Sequence, residues 1–408
     1  MPDYPVGATL DSGGAEILDD PEALRARDTS GALLGAASGG AQIRAVATAV
    51  ESGALRSLEG FRPRALSWVA GRSSQSAAAA GLVSALLERY EDGPGIPFSV
   101  SHELPAWVGA LDVVVVSGAD AGDPVAARAV ASARARGAAV VVDVPREGPV
   151  AEAGGEGEAV CWFPPLPFVA PDRAFVRHAA AGLAVFGALG WAVPPLAVLA
   201  DRVDEAIASN GPDLAVAVNP AKLAAREIAA AGFPLLVHED AVSGALARRM
   251  VAAFAEAGTQ LTEMPLADAL RVAPLLRARA ARAADAETPD DIFHDEFIDG
   301  PRKASGAPSL VPTFLGLAVA APRERVEQLA AALESVSWVD FGDTPGDDGS
   351  GENPSGGTPE SQAREGYSLG GSGLGSSLDF GELLEGALVT AACAEIAAAY
   401  AALLNLMD

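Results

Sequence analysis

The stretch Arg64-Ala-Leu-Ser-Trp-Val-Ala-Gly-Arg-Ser-Ser-Gln-Ser76 decides the fold. Its first half is a short apolar run without alternation, the pattern of a strand buried on both faces. Its second half, from Gly71, is small and polar and opens an Ala-rich stretch that reads as a helix to about Arg89. Strand, small-residue turn and helix together form the start of a parallel α/β unit. The unit repeats downstream. Ile96–Val100 reads as a strand and His102–Trp107 as a turn. The Val-rich run Leu111–Ser117 is a strand, and a second small-residue turn, Gly118-Ala-Asp-Ala-Gly-Asp123, follows it. A helix then runs from Pro124, suited to a first helical position, to Arg136, and Gly137–Val144 is another strand. Strands alternating with helices at this spacing predict a doubly wound parallel sheet covered by helices on both faces.

Residues upstream continue outward from this core. Thr29 to about Leu58 has helical periodicity, and residues 1–30 read as a loosely attached lead-in. The apolar stretch Ala179–Ala200 is broken by Pro194-Pro195 and reads as a buried helix with its exit turn, not a membrane span. The rhythm then recurs. Leu214–Val218, Phe233–Val237, Thr259–Thr262 and Ser309–Val319 are expected strands. Helices are expected from Asn219 to near Gly232, through Arg248 and Phe254, over Ala267–Ala284, and over Arg323–Val336. This gives two α/β domains, residues 31–200 and 201–408. Two segments break the pattern. Asp285–Ala307 is an acidic loop, and the 341–380 insert is dense in Gly, Ser, Asp and Pro. Glu382–Leu406 is strongly apolar and must dock on a domain.

Composition narrows the function classes. The chain has 408 residues, half of them hydrophobic, which excludes wholesale disorder. Its formal net charge is -26, so phosphate backbones and anionic lipid repel it, and neither nucleic acid nor membrane is an expected partner. A small phosphorylated ligand remains compatible, because a few local N–H groups outweigh a distant, screened field. Only Lys222 and Lys303 are lysines; the excess of Ala, Gly and Arg resembles the codon bias of a GC-rich bacterial genome and says nothing about function. Two cysteines, Cys161 and Cys393, and four scattered histidines offer neither a disulfide framework nor metal-ligand spacing. No metal or cofactor is expected. The N-terminus lacks signal-peptide character, so a cytoplasmic location is expected.

The Gly71–Ser76 turn has the makings of an anion site. It lies at the carboxyl end of a parallel strand, where open α/β sheets bind ligands, and it opens a helix with unpaired N–H groups. Ser73, Ser74 and Ser76 add hydroxyls and Arg72 adds charge. Serines that only cap the helix are the competing reading, and the residues alone leave both open.

These motifs in order resemble the sugar isomerase (SIS) fold, and more narrowly the bifunctional phosphoglucose/phosphomannose isomerases. The resemblance rests on the Arg72–Ser76 turn, on Pro97-Phe-Ser-Val-Ser-His-Glu-Leu-Pro-Ala-Trp-Val108 and on Asn219-Pro-Ala-Lys222. Weaker support comes from Pro171-Asp-Arg-Ala174 and the terminal Tyr400-Ala-Ala-Leu-Leu-Asn405. It covers residues 30 to 408 apart from the insert. It implies two SIS domains and a homodimer that binds a small phosphorylated sugar and interconverts aldose and ketose. It further implies phosphate binding by Arg72, Ser73, Ser74, Ser76 and Ser117, an enediolate-steadying Arg at Arg173 and a proton-transferring Glu at Glu256. No His falls where the family's ring-opening His is expected, and His294 is the nearest substitute. The second turn departs from the family form, with Ala119 and Gly122 where hydroxyls stand and Asp120 and Asp123 adding negative charge. Three readings follow: an isomerase with altered contacts and weak turnover, a catalytically silent sugar-phosphate binder, or a scaffold that keeps only the dimer.

Overall fold

The computed structural model describes residues 17–90, 95–155, 160–163, 173–287, 311–333, 335–341 and 379–405. The first sheet is built from β1 (Ala65–Val69), β2 (Phe98–Ser101), β3 (Asp112–Ser117), β4 (Ala139–Asp143) and β5 (Val160–Trp162). All neighbours pair in parallel, in the order β2-β1-β3-β4-β5. β1 and β3 are buried at every position, as their unbroken apolar runs require. The second sheet holds β6 (Phe233–His238), β7 (Thr262–Pro265), β8 (Pro312–Leu317) and β9 (Val336–Trp338), parallel in the order β7-β6-β8-β9. In both sheets the first strand lies between the second and the third. Each sheet therefore has a switch point, β1/β3 and β6/β8, where the winding reverses and the carboxyl ends have room for a crevice.

The helices that cover the sheets are, in chain order, α1 (Pro21–Arg27), α2 (Ala32–Ala36), α3 (Gly39–Glu51), α4 (Ser74–Leu87), α5 (Pro124–Ala135) and α6 (Gly148–Gly154). They continue with α7 (Phe175–Ala188), α8 (Leu196–Ala208), α9 (Pro220–Ala230), α10 (Ala241–Glu256), α11 (Leu266–Glu287), α12 (Arg323–Ala330) and α13 (Phe380–Asn405). α13 joins the halves by packing on α2, α8, α9 and α10. It alone among the described helices is long and apolar enough to cross a bilayer, but 83% of that stretch is buried inside the molecule, so it is packed as a core helix.

α7 packs on α4 across β1. Gly182 permits the contact: a Cβ there would stand 2.3 and 2.6 Å from ring carbons of Trp68, which is fully buried. Gly182→Ala is therefore expected to destabilise by about 1–3 kcal/mol through overpacking. Tryptophan fluorescence should shift with it, and an unchanged urea midpoint with an unchanged spectrum would contradict the contact.

Several expectations needed correction. Leu214–Val218 is not a strand but ends in a single 3-10 turn at Val216–Val218. Leu214 and Val218 are partly exposed, and the carbonyls of Pro212 and Leu214 accept from Lys222 Nζ instead of a neighbouring strand. The helix expected to reach Val336 stops at Ala330, and Val336–Trp338 forms the edge strand β9. The strand expected over Thr259–Thr262 lies three residues later, at Thr262–Pro265. Residues 17–30 are not loosely attached: Leu18 and Leu24 are fully buried, and Asp20 caps α1 by accepting from the Glu22 and Ala23 amides. Nearly all of the 341–380 insert and most of the Asp285–Ala307 loop lie outside the described residues.

Candidate functional site

The β1/β3 switch point is open. A cleft of about 370 Å3 lies over the carboxyl ends of these strands, with Arg72, Ser73, Ser74 and Gln75 on one wall and Gly118–Asp120 on another. Glu256, from the last turn of α10, closes it from the second domain, because α10 packs against α4. The crevice thus faces the helix N-terminus predicted from the sequence, where unpaired N–H groups and the macrodipole favour an anion.

The serines divide between surface and interior. Ser74 is exposed at the first position of α4, and Ser73 caps the helix by accepting from the Ser76 amide at 3.1 Å. Ser76 and Ser117 lie beneath the turn. Their hydroxyls bond each other, and Trp68 Nε1 donates to Ser117 at 2.7 Å and to Ser76 at 3.3 Å. Both side chains are buried, so they anchor the two turns to the sheet and present nothing to the cleft surface. Asp123 also has an internal use. One of its oxygens accepts from the Arg72 amide at 2.9 Å and the other from Val125 at 2.8 Å, capping α5. Gly71, at φ +55°, permits this: a Cβ there would meet Asp123 Oδ2 at 2.3 Å. The carboxylate therefore ties the two turns together and takes one amide that an incoming anion would otherwise meet.

Arg173 and Glu256, far apart in the chain, belong to one network. Arg173 Nη1 donates to Glu395 Oε2 at 3.2 Å, and Arg249 Nε donates to Glu395 Oε1 at 2.6 Å. Arg249 also donates to both oxygens of Glu256, at 3.3 and 3.4 Å. Burial alone would lower the pKa of Arg249, but Glu395 and Glu256 outweigh it and hold the guanidinium above its ordinary value. Gln75, in the cleft wall, accepts from the Ala174 amide at 2.8 Å, next to Arg173. Glu395 escaped the sequence reading, and Arg249 entered it only as the residue from which Glu256, seven positions on, is counted. The signal for Glu395 was there: it is the one charged residue between 386 and 405.

None of the three described histidines lines this cleft. His178 is buried against Asp143, His238 bonds Glu263 at 2.7 Å, and His102 is exposed on the β2–β3 connection. His294 lies outside the described residues. The second switch point is closed. Ser243 Oγ donates to Asp240 and accepts from the Val319 amide, bridging the ends of β6 and β8. A larger cleft of about 450 Å3 lies between α8 and the start of α13, away from both switch points. Its Arg202 pairs with Glu205 and Glu385 in its own walls.

No family model matches the sequence, and no curated protein matches it. Solved structures do match in fold. A provisionally named tagatose-6-phosphate ketose/aldose isomerase from Clostridium novyi aligns over 92% of this chain and 90% of its own, with TM-score 0.51 and 11% identity. A provisionally named phosphosugar isomerase from Silicibacter pomeroyi aligns over 91% and 97%, with TM-score 0.50 and 14% identity. The chain shares the fold of these structures, parallel α/β sheets flanked by helices. The C-terminal domain of glucosamine-fructose-6-phosphate aminotransferase from Francisella tularensis shares it, over 90% and 94% of the two chains, with TM-score 0.50 and 10% identity. The open crevice lies at the first of the two sheets.

Proposed function

We propose that the first SIS domain binds a phosphorylated sugar in the β1/β3 crevice and that aldose–ketose turnover of glucose 6-phosphate or mannose 6-phosphate is weak or absent. The carrying observation is the cleft itself. The open N-terminus of α4, with Ser73, Ser74 and the Arg72 side chain, faces the Glu256 carboxylate of the other domain across a space of sugar-phosphate size. The phosphate sits at the helix N-terminus and the sugar extends toward Glu256. The names of the fold relatives above support a phosphorylated sugar as the ligand class.

Weak turnover follows from what surrounds the reacting carbons. Isomerisation needs a positioned base and stabilisation of the developing enediolate. Both Glu256 oxygens accept from Arg249, so each keeps only one lone pair free for a carbon-bound proton. Arg173 is turned to Glu395. The second turn offers Ala119 and Gly122 in place of hydroxyls, with Asp120 on the cleft wall.

Thermal shift tests the binding. Glucose 6-phosphate, mannose 6-phosphate and fructose 6-phosphate should raise Tm, since ligand at a hundred times Kd adds about 2.7 kcal/mol. The unphosphorylated sugars should not, and the rise should vanish in Ser74→Ala. No shift with any sugar phosphate would overturn the binding reading. Brisk conversion in a coupled assay would overturn the turnover reading and leave binding intact.

A further inference from the structure

Glu395 is a carboxylate in the middle of α13, the one charged residue between 386 and 405, and its side chain is only 6% exposed. Stability does not explain it. Each buried ion carries a desolvation cost of several kcal/mol, and well-packed apolar groups of similar volume often serve as well or better. α13 is Ala- and Leu-rich on every side of this residue, so an apolar side chain would continue the pattern.

What Glu395 does have is a position. Its two oxygens are divided between arginines of the two domains: Arg173, which leads into α7, and Arg249 of α10. Arg249 holds Glu256 with its remaining N–H groups and lies 5.8 Å from the Phe175 ring centroid, which fixes the guanidinium plane. The peptide after Arg173 donates to Gln75. The contacts therefore form a chain: Gln75, Ala174 and Arg173, Glu395, Arg249 and Glu256. The chain begins and ends in the walls of one cleft. The buried links, Arg249 at 2% and Glu395 at 6% exposure, hold the partly exposed end, Glu256 at 40%.

We infer that Glu395 is a positioning residue for the sugar end of the cleft. It fixes Arg249, and through it Glu256, while the phosphate end depends on the first turn of α4 alone. The inference rests on the phosphorylated-sugar reading of the cleft. It separates two kinds of ligand contact. Inorganic phosphate feels only the α4 turn, whereas fructose 6-phosphate feels the turn and Glu256 together.

Calorimetric titration of the full chain with these two probes tests it, on wild type, Glu395→Gln, Glu256→Gln and the double variant. Glu395→Gln is expected to weaken fructose 6-phosphate about tenfold, equivalent to 1.4 kcal/mol, and to leave inorganic phosphate unchanged. Because Glu395 acts through Glu256, the double variant should bind fructose 6-phosphate no more weakly than Glu256→Gln alone. Losses that add, or an equal loss for inorganic phosphate, would reduce Glu395 to a general structural residue and overturn the inference. So would unchanged fructose 6-phosphate affinity, with the phosphorylated-sugar reading left standing. Wild type that binds neither probe would remove the reading and the inference together. Should Glu395→Gln not fold, Glu395→Asp keeps the buried charge but shortens its reach, and the same selective loss for fructose 6-phosphate is expected.

Discussion

Asp143→Asn should unfold at markedly lower urea than wild type, with a loss of about 3–5 kcal/mol, the usual consequence of removing one partner of a buried ion pair. Asp143 ends β4 and is almost fully buried. Arg177 Nε donates to one of its oxygens at 2.7 Å, and His178 Nδ1 lies 2.6 Å from the other. Arg177 also donates to the Phe163 carbonyl at 2.7 Å. The Asp143 backbone carbonyl accepts from Gly118, so the triad lies directly under the second turn of the cleft. Asparagine keeps the shape but leaves the Arg177 charge without a counter-ion in a site where its Nη1 already has no hydrogen-bond partner. The effect is pH-dependent with a definite sign. Burial alone would raise the Asp143 carboxyl, but the charges of Arg177 and His178 outweigh it and hold its pKa below the usual carboxylate value. A carboxyl depressed in the native state contributes stability that is complete above its unfolded value, about 3.9, and is lost as pH falls through the native value. The gap between wild type and variant should be full at neutral pH and close progressively below about pH 4. Equal midpoints at neutral pH, or a gap that is constant into strong acid, would refute the ion-pair account.

The architecture was largely legible because its strongest elements are local. The Val-rich runs of β3 and β4 and the apolar run of β1 carry their burial in their own composition, and the small-residue turns after β1 and β3 mark where the sheet meets solvent. The short edges were not. Val160–Trp162 and Val336–Trp338 are three residues each, too short for a period to declare itself. Leu214–Val218 shows the opposite failure. Its apolar composition suits a strand, but a neighbouring lysine takes its carbonyls and no strand partner is there.

The site was legible only in its local part. Ser73, Ser74 and Arg72 face the cleft because they open a helix, which sequence states directly. Whether Ser76 and Ser117 face outward depends on Trp68, eight and forty-nine residues away, and no spacing reports that. Asp123, read as a charge opposing the ligand, is spent on two amides, a use visible only once the two turns are adjacent. Glu256 was found by its distance from Arg249, seven residues on the same helix, and the two are indeed bonded. Their link to Arg173 passes through Glu395, more than 130 residues from either arginine in the chain, and only the fold brings the three together.

Lys222 gives the second large effect. It is fully buried in α9, and its ammonium donates to three carbonyls: Leu18 at 2.5 Å, Leu214 at 2.7 Å and Pro212 at 2.8 Å. It also lies 5.5 Å from the Tyr400 ring centroid. The motif Asn219-Pro-Ala-Lys222 is thus a clamp. Asn219 caps α9, Pro220 begins it, and Lys222 fastens both the N-terminal segment and the turn before α9 to the core. Lys222→Met keeps length and apolar bulk but orphans the three carbonyls at about 1–3 kcal/mol for each that stays dry. The Leu18 carbonyl is the buried one of the three, so the N-terminal segment should loosen most. Two outcomes are expected together: a total loss of about 3 kcal/mol or more, and rapid tryptic cleavage after Arg25 and Arg27, which sit in α1 just beyond that contact. Because no residue of the segment lines the β1/β3 crevice, sugar-phosphate affinity of the folded variant should stay at the wild-type level. Stability close to wild type with α1 still resistant to trypsin would mean that water replaces the ammonium without cost, and the clamp would lose its role.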